Sequence, residues 1–578
     1  MLPVTVHTAI SHNNDDGNAK EVRKGSGGTV PRDWAVFERA WTSPEMLLSL
    51  VACVFYFGGS FWRLAQLSRL WRPHLHHLHV VPLYGAEHPL DASDPQWWSF
   101  RSHLPLLFVL ALVSVALTHA LARLGLSYAR WRTTHLVARL AVGVLFVAVL
   151  HRWHAIQLVG VLLAHYGVVR WLGAAQWRGV PLAPAFSWCF CVALLFTTEH
   201  AGAEPRLSDW FGESLAFMDA PPAQLVRWAS KWNLIMLKLI SFASDYARMR
   251  RHVPSGVNWE RHANKCALCS GGERCEERRA DTPLPEAEYG VLQYLWFVCY
   301  PPLYLAGPMA TFNGAVSALA EPQRAVVGSA WALYALRWLA AFALMELLTS
   351  HLYVWAFAKH GMWKRAELTI YELGFLCHWS LFVLWLKFTV IWRFFRAWAL
   401  ADGVDVRENM LRCVNNNYTL TGFWRGWHHS YNAWLIRYLY VPLGGSHTRH
   451  WNVWVVFTFV AIWHDLHLKL LAWAWIICLL IVPEVLLRNW AQDARRQWLR
   501  DAWYYRPLCG VCAAAMVVAL MFINLIGFFT GIDGIRYILA HVDATFLVSA
   551  IGTFYIGAMI MFKVRAAEAT AGDVKGGL

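Results

Sequence analysis

Two histidines in the stretch 423–465 carry the side chains with which this sequence could move a proton. His428 falls in an aromatic and basic segment, and His464 ends an apolar run 36 residues later. A histidine within hydrocarbon is costly unless it is paired or functional, and imidazole titrates near ambient pH. Both are therefore candidates for acid-base chemistry, although a lone histidine on an apolar helix is more often simply packed or hydrogen-bonded.

The chemistry best suited to this pair is transfer of a long acyl chain to a hydroxyl, which needs a base, oxyanion donors and a dry channel. His464 would serve as the base, with Asp465 or His467 orienting its ring. His428 would bind the acceptor or polarise a thioester carbonyl. The sequence contains no Gly-x-Ser-x-Gly elbow, so Ser430 is a candidate hydrogen-bond partner rather than a nucleophile.

Five further side chains in this stretch are predicted to position the substrates rather than to react. They are Trp424, Arg425, Trp427, Asn432 and Arg437.

Composition decides the class of protein that must position these residues. The 578 residues are 57% hydrophobic and 15% charged, with a mean hydropathy of +0.35, which is far more apolar than a soluble domain. Apolar runs of about 18 to 25 residues predict an all-α, polytopic integral membrane protein with about eleven transmembrane helices plus re-entrant or interfacial helices. The strand alternation of a membrane barrel is missing from the sequence.

Polarity along the chain predicts one membrane domain over residues 45–562 between a disordered tail, 1–44, and a short polar tail, 563–578. The apolar segment 232–243 is too short to cross upright and is predicted to be interfacial or re-entrant. Pro301 and Pro302 should break a helix at a place that lines a cavity or is packed in protein.

The polar excursion 248–288 contains four soft metal ligands, His262, Cys266, Cys269 and Cys275. Cys-x-x-Cys has the reach for tetrahedral zinc, but the spacing of the other two ligands matches no standard finger. Free cytosolic thiols and palmitoylation sites are alternative interpretations.

The net charge of +14 lies mostly in the connections between apolar runs. Such basic loops usually lie on the cytosolic side of the membrane, and they could also bind a phosphate-rich acyl donor such as coenzyme A. Nucleic-acid binding is not indicated, because the basic residues form no recognisable reading module. Arg337, Glu346 and Lys387 fall within apolar runs, where paired, snorkelling and tunnel-facing roles are all open.

The stretch FWRGWHHSYNAWLIRYLYVPLGG, followed by the apolar run to WHD, resembles the membrane-bound O-acyltransferase superfamily. The similarity is to the branch of the fungal glycerol-uptake proteins and Hedgehog acyltransferase. Other segments with this resemblance are SDPQWWSFRSHLP, LKLISFASDY, YPPLYLAGPMATFN and DGVDVRENMLRCVNNNY.

This resemblance implies a tunnel across the bilayer that acyl-CoA enters from the cytosol and the acceptor from the other side. The superfamily's invariant histidine falls on His464, and its more variable second position falls on His428. Hedgehog acyltransferase has aspartate at the second position, whereas the glycerol-uptake branch has histidine. The resemblance therefore favours a lipid or glycolipid hydroxyl over the amino-terminal cysteine of a protein.

The function expected on this basis is acylation of the lyso form of a glycosylphosphatidylinositol (GPI) anchor in the endoplasmic reticulum membrane, with the plasma membrane as a second location. Its partners would be acyl-CoA, a lipid or GPI-anchored protein, and membrane lipids, with no bound cofactor. The alternatives are a protein acyltransferase similar to Hedgehog acyltransferase and a polyol or glycerol transporter coupled to protons. The sequence shows no internal repeat of the kind that many transporters have.

Overall fold

The computed structural model describes residues 40–570 apart from 77, 84–85, 124–127, 201–207, 209–211, 217–225, 265 and 321–327. This part of the chain is almost entirely helical, and ten of its helices are long and apolar enough to cross a membrane. The predicted all-α polytopic fold is confirmed. Residues 1–39 of the predicted amino-terminal tail and 571–578 of the predicted carboxyl-terminal tail lie outside the described residues.

The first half contains α1 Pro44–Trp71, α2 Pro95–Ala122, α3 Tyr128–His151, α4 His154–Leu172, α5 Leu182–His200, α6 Trp232–Arg250, α7 Trp259–Ala263, α8 Ala267–Ser270, α9 Glu276–Asp281, α10 Val291–Cys299, α11 Pro301–Leu305 and α12 Phe312–Ala320. The second half contains α13 Ser329–His351, α14 Val354–Lys359, α15 Met362–Arg365, α16 Ile370–Ala401, α17 Leu420–Gly426, α18 His429–Leu435, α19 Arg449–His464, α20 Leu468–Gln492, α21 Gln497–Asp501, α22 Tyr505–Phe528, α23 Gly531–His541 and α24 Ala544–Thr570. Two antiparallel hairpins pair β1 Leu78–Leu83 with β2 Ala86–Asp91, and β3 Gln176–Trp177 with β4 Val180–Pro181.

The 32-residue helix α16 is the centre of the fold. In its most apolar stretch 67% of the residues are buried by protein, against 17–33% in the other candidate spans. Those other helices keep much of their apolar surface for lipid, as helices at the rim of a bundle do. Helix α16 thus provides a wall that protein encloses on most sides.

Ion pairs between carboxylates and basic residues connect the long helices to one another. Asp94 caps α2 through the Trp97 N–H at 2.7 Å, and its other oxygen receives Lys387 of α16 at 2.8 Å. Arg101 of α2 reaches Glu346 of α13 at 2.7 Å. Lys387 and Glu346 are therefore paired, which is the stable arrangement for a charge inside a membrane protein.

Four features differ from the sequence predictions. The described residues give ten candidate spans rather than about eleven, because α19 has only 16 residues and the chain around Pro301 forms two short buried helices, α10 and α11. The segment predicted as a short interfacial helix is α6, which has 19 residues and is mostly buried. Its Lys238 interrupts the apolar pattern but donates to the Val298 carbonyl at 2.9 Å inside the protein. Helix α24 continues through residue 563 to Thr570, and neither hairpin was predicted.

Asp402, at the carboxyl end of α16, connects three other elements to the central helix. It is 1% exposed and accepts hydrogen bonds from Thr118 of α2 at 2.6 Å and from Tyr300 at 2.8 Å. Arg139 of α3 lies 3.6 Å from the same carboxylate. One buried charge therefore fixes α2, α3 and the break between α10 and α11.

Replacement of Asp402 with Ala should destabilise the fold strongly. The substitution leaves the buried Arg139 charge without its carboxylate, a change that costs about 3–5 kcal/mol in comparable buried pairs. Thermal unfolding of the purified protein in detergent, followed by tryptophan fluorescence, would measure the change. Asp533→Ala is the matched control, because Asp533 is 82% exposed and pairs only at the surface with Arg536. Equal stability of the two variants would contradict this role of Asp402.

Candidate active site

A cavity of about 800 Å³ lies against the central helix, and both candidate histidines, His428 and His464, are on its wall. Helix α16 contributes one face to it through His378, Leu381, Leu384, Phe388 and Trp392. At a rise of about 1.5 Å per residue, this face is roughly 21 Å long. Most of the other lining side chains are apolar or aromatic. The cavity is therefore long and mainly apolar, which suits a hydrocarbon chain.

His428 occupies the sharp turn between α17 and α18. Its backbone has φ 46° and ψ 48°, the left-handed region that residues with a side chain rarely adopt. Its ring is packed against Trp392 with centroids 4.3 Å apart and against Tyr431 at 5.1 Å. The ring's Nδ1 is buried and receives no hydrogen bond from another described residue. Strain and an unpaired buried nitrogen at one residue are typical of a functional position.

His464 is the last residue of α19, and its side chain is open to the cavity. Trp463, Trp473 and Phe528 surround the imidazole, with ring centroids 4.8, 6.2 and 5.8 Å away. No described side chain hydrogen-bonds to it. The rings of His428 and His464 both contact Trp463, with centroids 6.1 and 4.8 Å from it. The fold therefore brings together two imidazoles that are 36 residues apart in sequence.

Asp465 and His467 do not orient the His464 ring. Their side chains are partly or well exposed and approach each other, with Nε2 and Oδ2 3.5 Å apart. The backbone reason is that α19 ends at His464, and Asp465 is extended with φ −175°. Asp465 and His467 therefore pair with each other, and neither hydrogen-bonds to the His464 ring.

Ser430 holds the irregular backbone beside the cavity. Its hydroxyl donates to the Asn409 Oδ1 and accepts from the Met309 N–H at 2.7 Å. The His429 N–H donates to the Asn409 carbonyl at 2.9 Å. Ser430 therefore supports the turn that carries His428, although its partners are Asn409 and Met309 rather than the His428 ring.

Gly307 lets the broken backbone after α11 line the cavity. A Cβ at this position would lie 2.5 Å from the Pro302 carbonyl oxygen and 2.8 Å from the Leu303 side chain. Any larger residue would push the chain away from that carbonyl. The close approach explains why a glycine stands between the prolines and Met309.

The residues predicted to position substrates separate into two groups. Trp424 and Trp427 line the cavity. Arg425, Asn432 and Arg437 are not among the described residues that line it. Arg437 instead pairs with Asp281 at 2.9 Å and Asp245 at 3.7 Å, so its charge is used within the protein.

An ion pair connects the polar excursion, residues 248–288, to the segment that follows α16. Burial alone would raise the pKa of the Glu276 carboxyl, but the Arg407 guanidinium, 2.7 Å away, holds that pKa below its usual value. Glu276 is therefore ionised and paired near neutral pH. The four candidate metal ligands also come together in this excursion, outside the cavity lining.

Sequence reasoning missed two polar features of the cavity wall. Lys231 is the one charged side chain among the described lining residues, and no described carboxylate pairs with it. The His378 Nε2–H donates to the Asn415 Oδ1 at 3.0 Å, and its Nδ1 accepts from the Tyr56 hydroxyl at 2.8 Å. No local sequence pattern indicated that Lys231 or His378 lines a cavity, because the residues that meet there are far apart in the chain. The run of three asparagines at 415–417 was the only unusual feature nearby.

Comparisons with known proteins agree with this architecture. The family model of MBOAT, the membrane-bound O-acyltransferase family, matches residues 210–528. The membrane-bound O-acyltransferase GUP1 of Candida tropicalis is 32% identical over 84% of this chain and 80% of its own length. The GUP1 protein of Saccharomyces cerevisiae is also 32% identical, over 84% of both chains. The protein-cysteine N-palmitoyltransferase HHAT of Mus musculus is 26% identical over 35% of this chain and 42% of its own.

Substitution of Ser430 by Ala should destabilise the wall of the cavity. It leaves the Met309 N–H and the Asn409 amide oxygen without this partner, and an unsatisfied buried group costs about 1–3 kcal/mol. Thermal unfolding in detergent checks the expectation. Ser102→Ala is the control, because that exposed hydroxyl bonds only to its own helix, and it should change stability by less than about 0.5 kcal/mol. A Ser430→Ala protein as stable as the control would show that water replaces the hydroxyl.

Proposed function

Since this chain belongs to the membrane-bound O-acyltransferase family, we propose that it moves a long-chain acyl group from acyl-CoA to a lipid hydroxyl, that of a lyso-GPI anchor. The chain is a multi-pass membrane O-acyltransferase; the donor, the acceptor and a location in the endoplasmic reticulum are the proposed parts. The observation that supports them most is that His428 and His464 face one long cavity with mainly apolar walls.

The shape of the cavity favours a fatty acyl group over a short one. Its wall on α16 extends over roughly 21 Å of helix, and Leu381, Leu384 and Phe388 follow one another along it. Burial of each methylene against such a wall contributes about 0.8 kcal/mol. A long chain therefore gains far more from this site than an acetyl group would.

His464 is the proposed general base. Its imidazole takes the proton of the acceptor hydroxyl while the hydroxyl oxygen bonds to the thioester carbonyl carbon. The carbon–sulfur bond then breaks, and the departing thiolate recovers the proton from the imidazolium to give free CoA thiol and the ester. A base must keep a nitrogen lone pair free for the substrate, and the unpaired, cavity-facing ring of His464 meets this requirement.

His428 is proposed to orient the acceptor or polarise the thioester carbonyl. Aromatic rings of Trp392 and Tyr431 hold its imidazole in place, and its own backbone is fixed in the left-handed region. A preorganised polar group in an apolar site stabilises developing charge without having to rearrange during the reaction. The two histidines would thus divide proton transfer from positioning.

The lyso-GPI acceptor is proposed from similarity to the fungal branch and from Lys231, the one cation among the described residues that line the cavity. The GUP1 relatives match most of this chain, whereas HHAT matches about a third of it. Lys231 lines the cavity and pairs with no described carboxylate. A phosphate, present in both acyl-CoA and a phosphoinositol anchor, is the group that such a lysine would bind.

The structure gives less support to proton-coupled transport. Glu346 and Lys387, the intramembrane charges that a carrier could use, are paired with Arg101 and Asp94 and are not among the cavity-lining residues. Uptake of glycerol into proteoliposomes that contain only this protein is the direct check, and no uptake above empty liposomes is expected.

Substitution of His464 by Ala should reduce acyl transfer by about 100- to 10,000-fold, the usual contribution of a general base. Microsomes that contain the variant would receive labelled acyl-CoA, and label would be counted in phospholipase-released anchor and in residual protein. Label that resists phospholipase in the wild-type protein fraction would identify a protein acceptor instead.

His450→Ala is the matched control for this experiment, because His450 is an exposed histidine on the same helix. It should transfer at the wild-type rate. Undiminished acyl transfer by a normally expressed His464→Ala protein would refute the proposed mechanism.

Substitution of Lys231 by Ala should raise the KM for the phosphate-bearing substrate by about 10- to 100-fold, the loss of one charge-assisted hydrogen bond. Lys231→Arg should recover most of the affinity. Titrating acyl-CoA at saturating acceptor, and then the reverse, identifies which substrate contacts Lys231. The exposed Lys469→Ala is the control, and an unchanged KM for both substrates in Lys231→Ala would refute the contact.

A further inference from the structure

The polar excursion gathers four metal-ligand side chains into one small cluster. The ligand atoms of His262, Cys266, Cys269 and Cys275 all lie within 4.8 Å of one another. The His262 Nε2 and the Cys275 Sγ are 3.3 Å apart. Zinc–sulfur bonds of about 2.3 Å and zinc–nitrogen bonds of about 2.0 Å give tetrahedral edges of roughly 3.5–3.8 Å. The cluster therefore has the size of a Cys₃His tetrahedron and needs only a slight contraction.

Local structure brings these four ligands together. Cys266 immediately precedes the one-turn helix α8, so Cys266 and Cys269 face the same side. Gly272, with φ 84°, reverses the chain after that helix. Cys275 then caps α9 and accepts the Arg278 N–H at 3.4 Å. A backbone N–H directed at a cysteine sulfur is the kind of outer contact that stabilises a metal-bound thiolate.

A carboxylate also stands behind the histidine ligand. Glu277 Oε2 lies 3.9 Å from Nδ1 of His262, the ring nitrogen opposite the one that approaches Cys275. Carboxylates commonly orient metal-bound imidazoles in this way.

Ion pairs attach α9 to the rest of the protein, but the excursion has no apolar core of its own. Among the described residues between Met249 and Leu284, none belongs to the hydrophobic clusters of the protein. The helices there have four to six residues, too few to be stable alone. Small segments without an apolar core usually depend on a metal or on disulfides, and all three cysteines are unpaired.

Burial argues against the other interpretations of these cysteines. Cys269 is 6% exposed and Cys275 is 8% exposed. Palmitoylation needs a thiol that an enzyme can reach, and free thiols serving only as small hydrophobes would be expected within an apolar core. Neither condition holds for Cys269 and Cys275, which are buried beside an imidazole in a polar loop; Cys266 is half-buried.

We propose that His262, Cys266, Cys269 and Cys275 bind one structural zinc ion that fixes helix α9 against the rest of the membrane domain. Four protein ligands fill the tetrahedron and leave no open position, which is the pattern of a structural rather than a catalytic site.

The ion would support the active site through α9. Glu276 pairs with Arg407 at 2.7 Å, and Arg279 pairs with Asp405 at 2.9 Å. The segment that carries these partners continues to Asn409, which holds the backbone of His429 and Ser430. Zinc would therefore help to hold in place the segment that hydrogen-bonds to the His428 turn.

Metal analysis of the purified full-length protein in detergent tests this proposal. About one zinc per chain is expected, falling to near zero in Cys269→Ser and in Cys275→Ser. Cys512→Ser removes an exposed thiol outside the cluster, so this control should keep its zinc. Zinc that persists in both cluster variants, or another metal at full occupancy in its place, would overturn the assignment.

A second measurement on the unmodified protein covers the case in which the variants do not fold. The native chain is treated with a thiol-alkylating reagent, with and without a zinc chelator, and the labelled cysteines are identified by mass spectrometry. Cys266, Cys269 and Cys275 should react at least about tenfold faster once the metal is removed, while Cys512 reacts equally in both. Equal labelling of the cluster under both conditions, or a fatty acyl group on one of its cysteines, would refute the proposal.

Discussion

Broken backbone inside a membrane protein is possible only where every freed polar group finds a partner, and this constraint shapes the whole site. The chain between α11 and α12 leaves its helical path beside the cavity. Ser430 receives the Met309 N–H, Ser241 receives the Phe312 N–H at 2.9 Å, and Asp245 receives the Asn313 N–H at 3.1 Å. The segments that contain these residues are far apart in sequence, yet their polar groups hydrogen-bond to one another at one place in the fold.

The same segments also provide the electrostatic frame. Tyr438 donates to Asp245 at 3.0 Å, and Arg437 lies between Asp245 and Asp281. These charged groups pair with one another within the protein. Lys231 is the one charged side chain among the described residues that line the cavity. An unpaired charge in such surroundings interacts strongly with a substrate phosphate, because little water competes. In the proposed reaction, Lys231 would therefore be the charge available to a phosphate of the substrate.

Apolar patterning was enough to predict the class of fold, since long hydrophobic runs leave few options but transmembrane helices. It failed for α6, where Lys238, Ser241 and Asp245 interrupt the apolar run although all three are buried. Their partners, such as the Val298 carbonyl and Tyr438, lie 60 and 193 residues away. The joint placement of His428 and His464 was an expectation from family resemblance, whereas the contribution of His378, Tyr56 and Lys231 to the wall depends on tertiary packing that no local pattern encodes.

The two histidines differ in a way that fits unequal roles. His464 lines the cavity at the end of a helix, and no described side chain hydrogen-bonds to its ring. His428 is 8% exposed, strained and wedged between aromatic rings, with Nδ1 buried and no described residue bonded to it. A buried nitrogen without a partner costs free energy in the empty enzyme. Substrate that supplies the missing hydrogen bond would recover that energy at the reacting centre, where binding energy is most useful for catalysis.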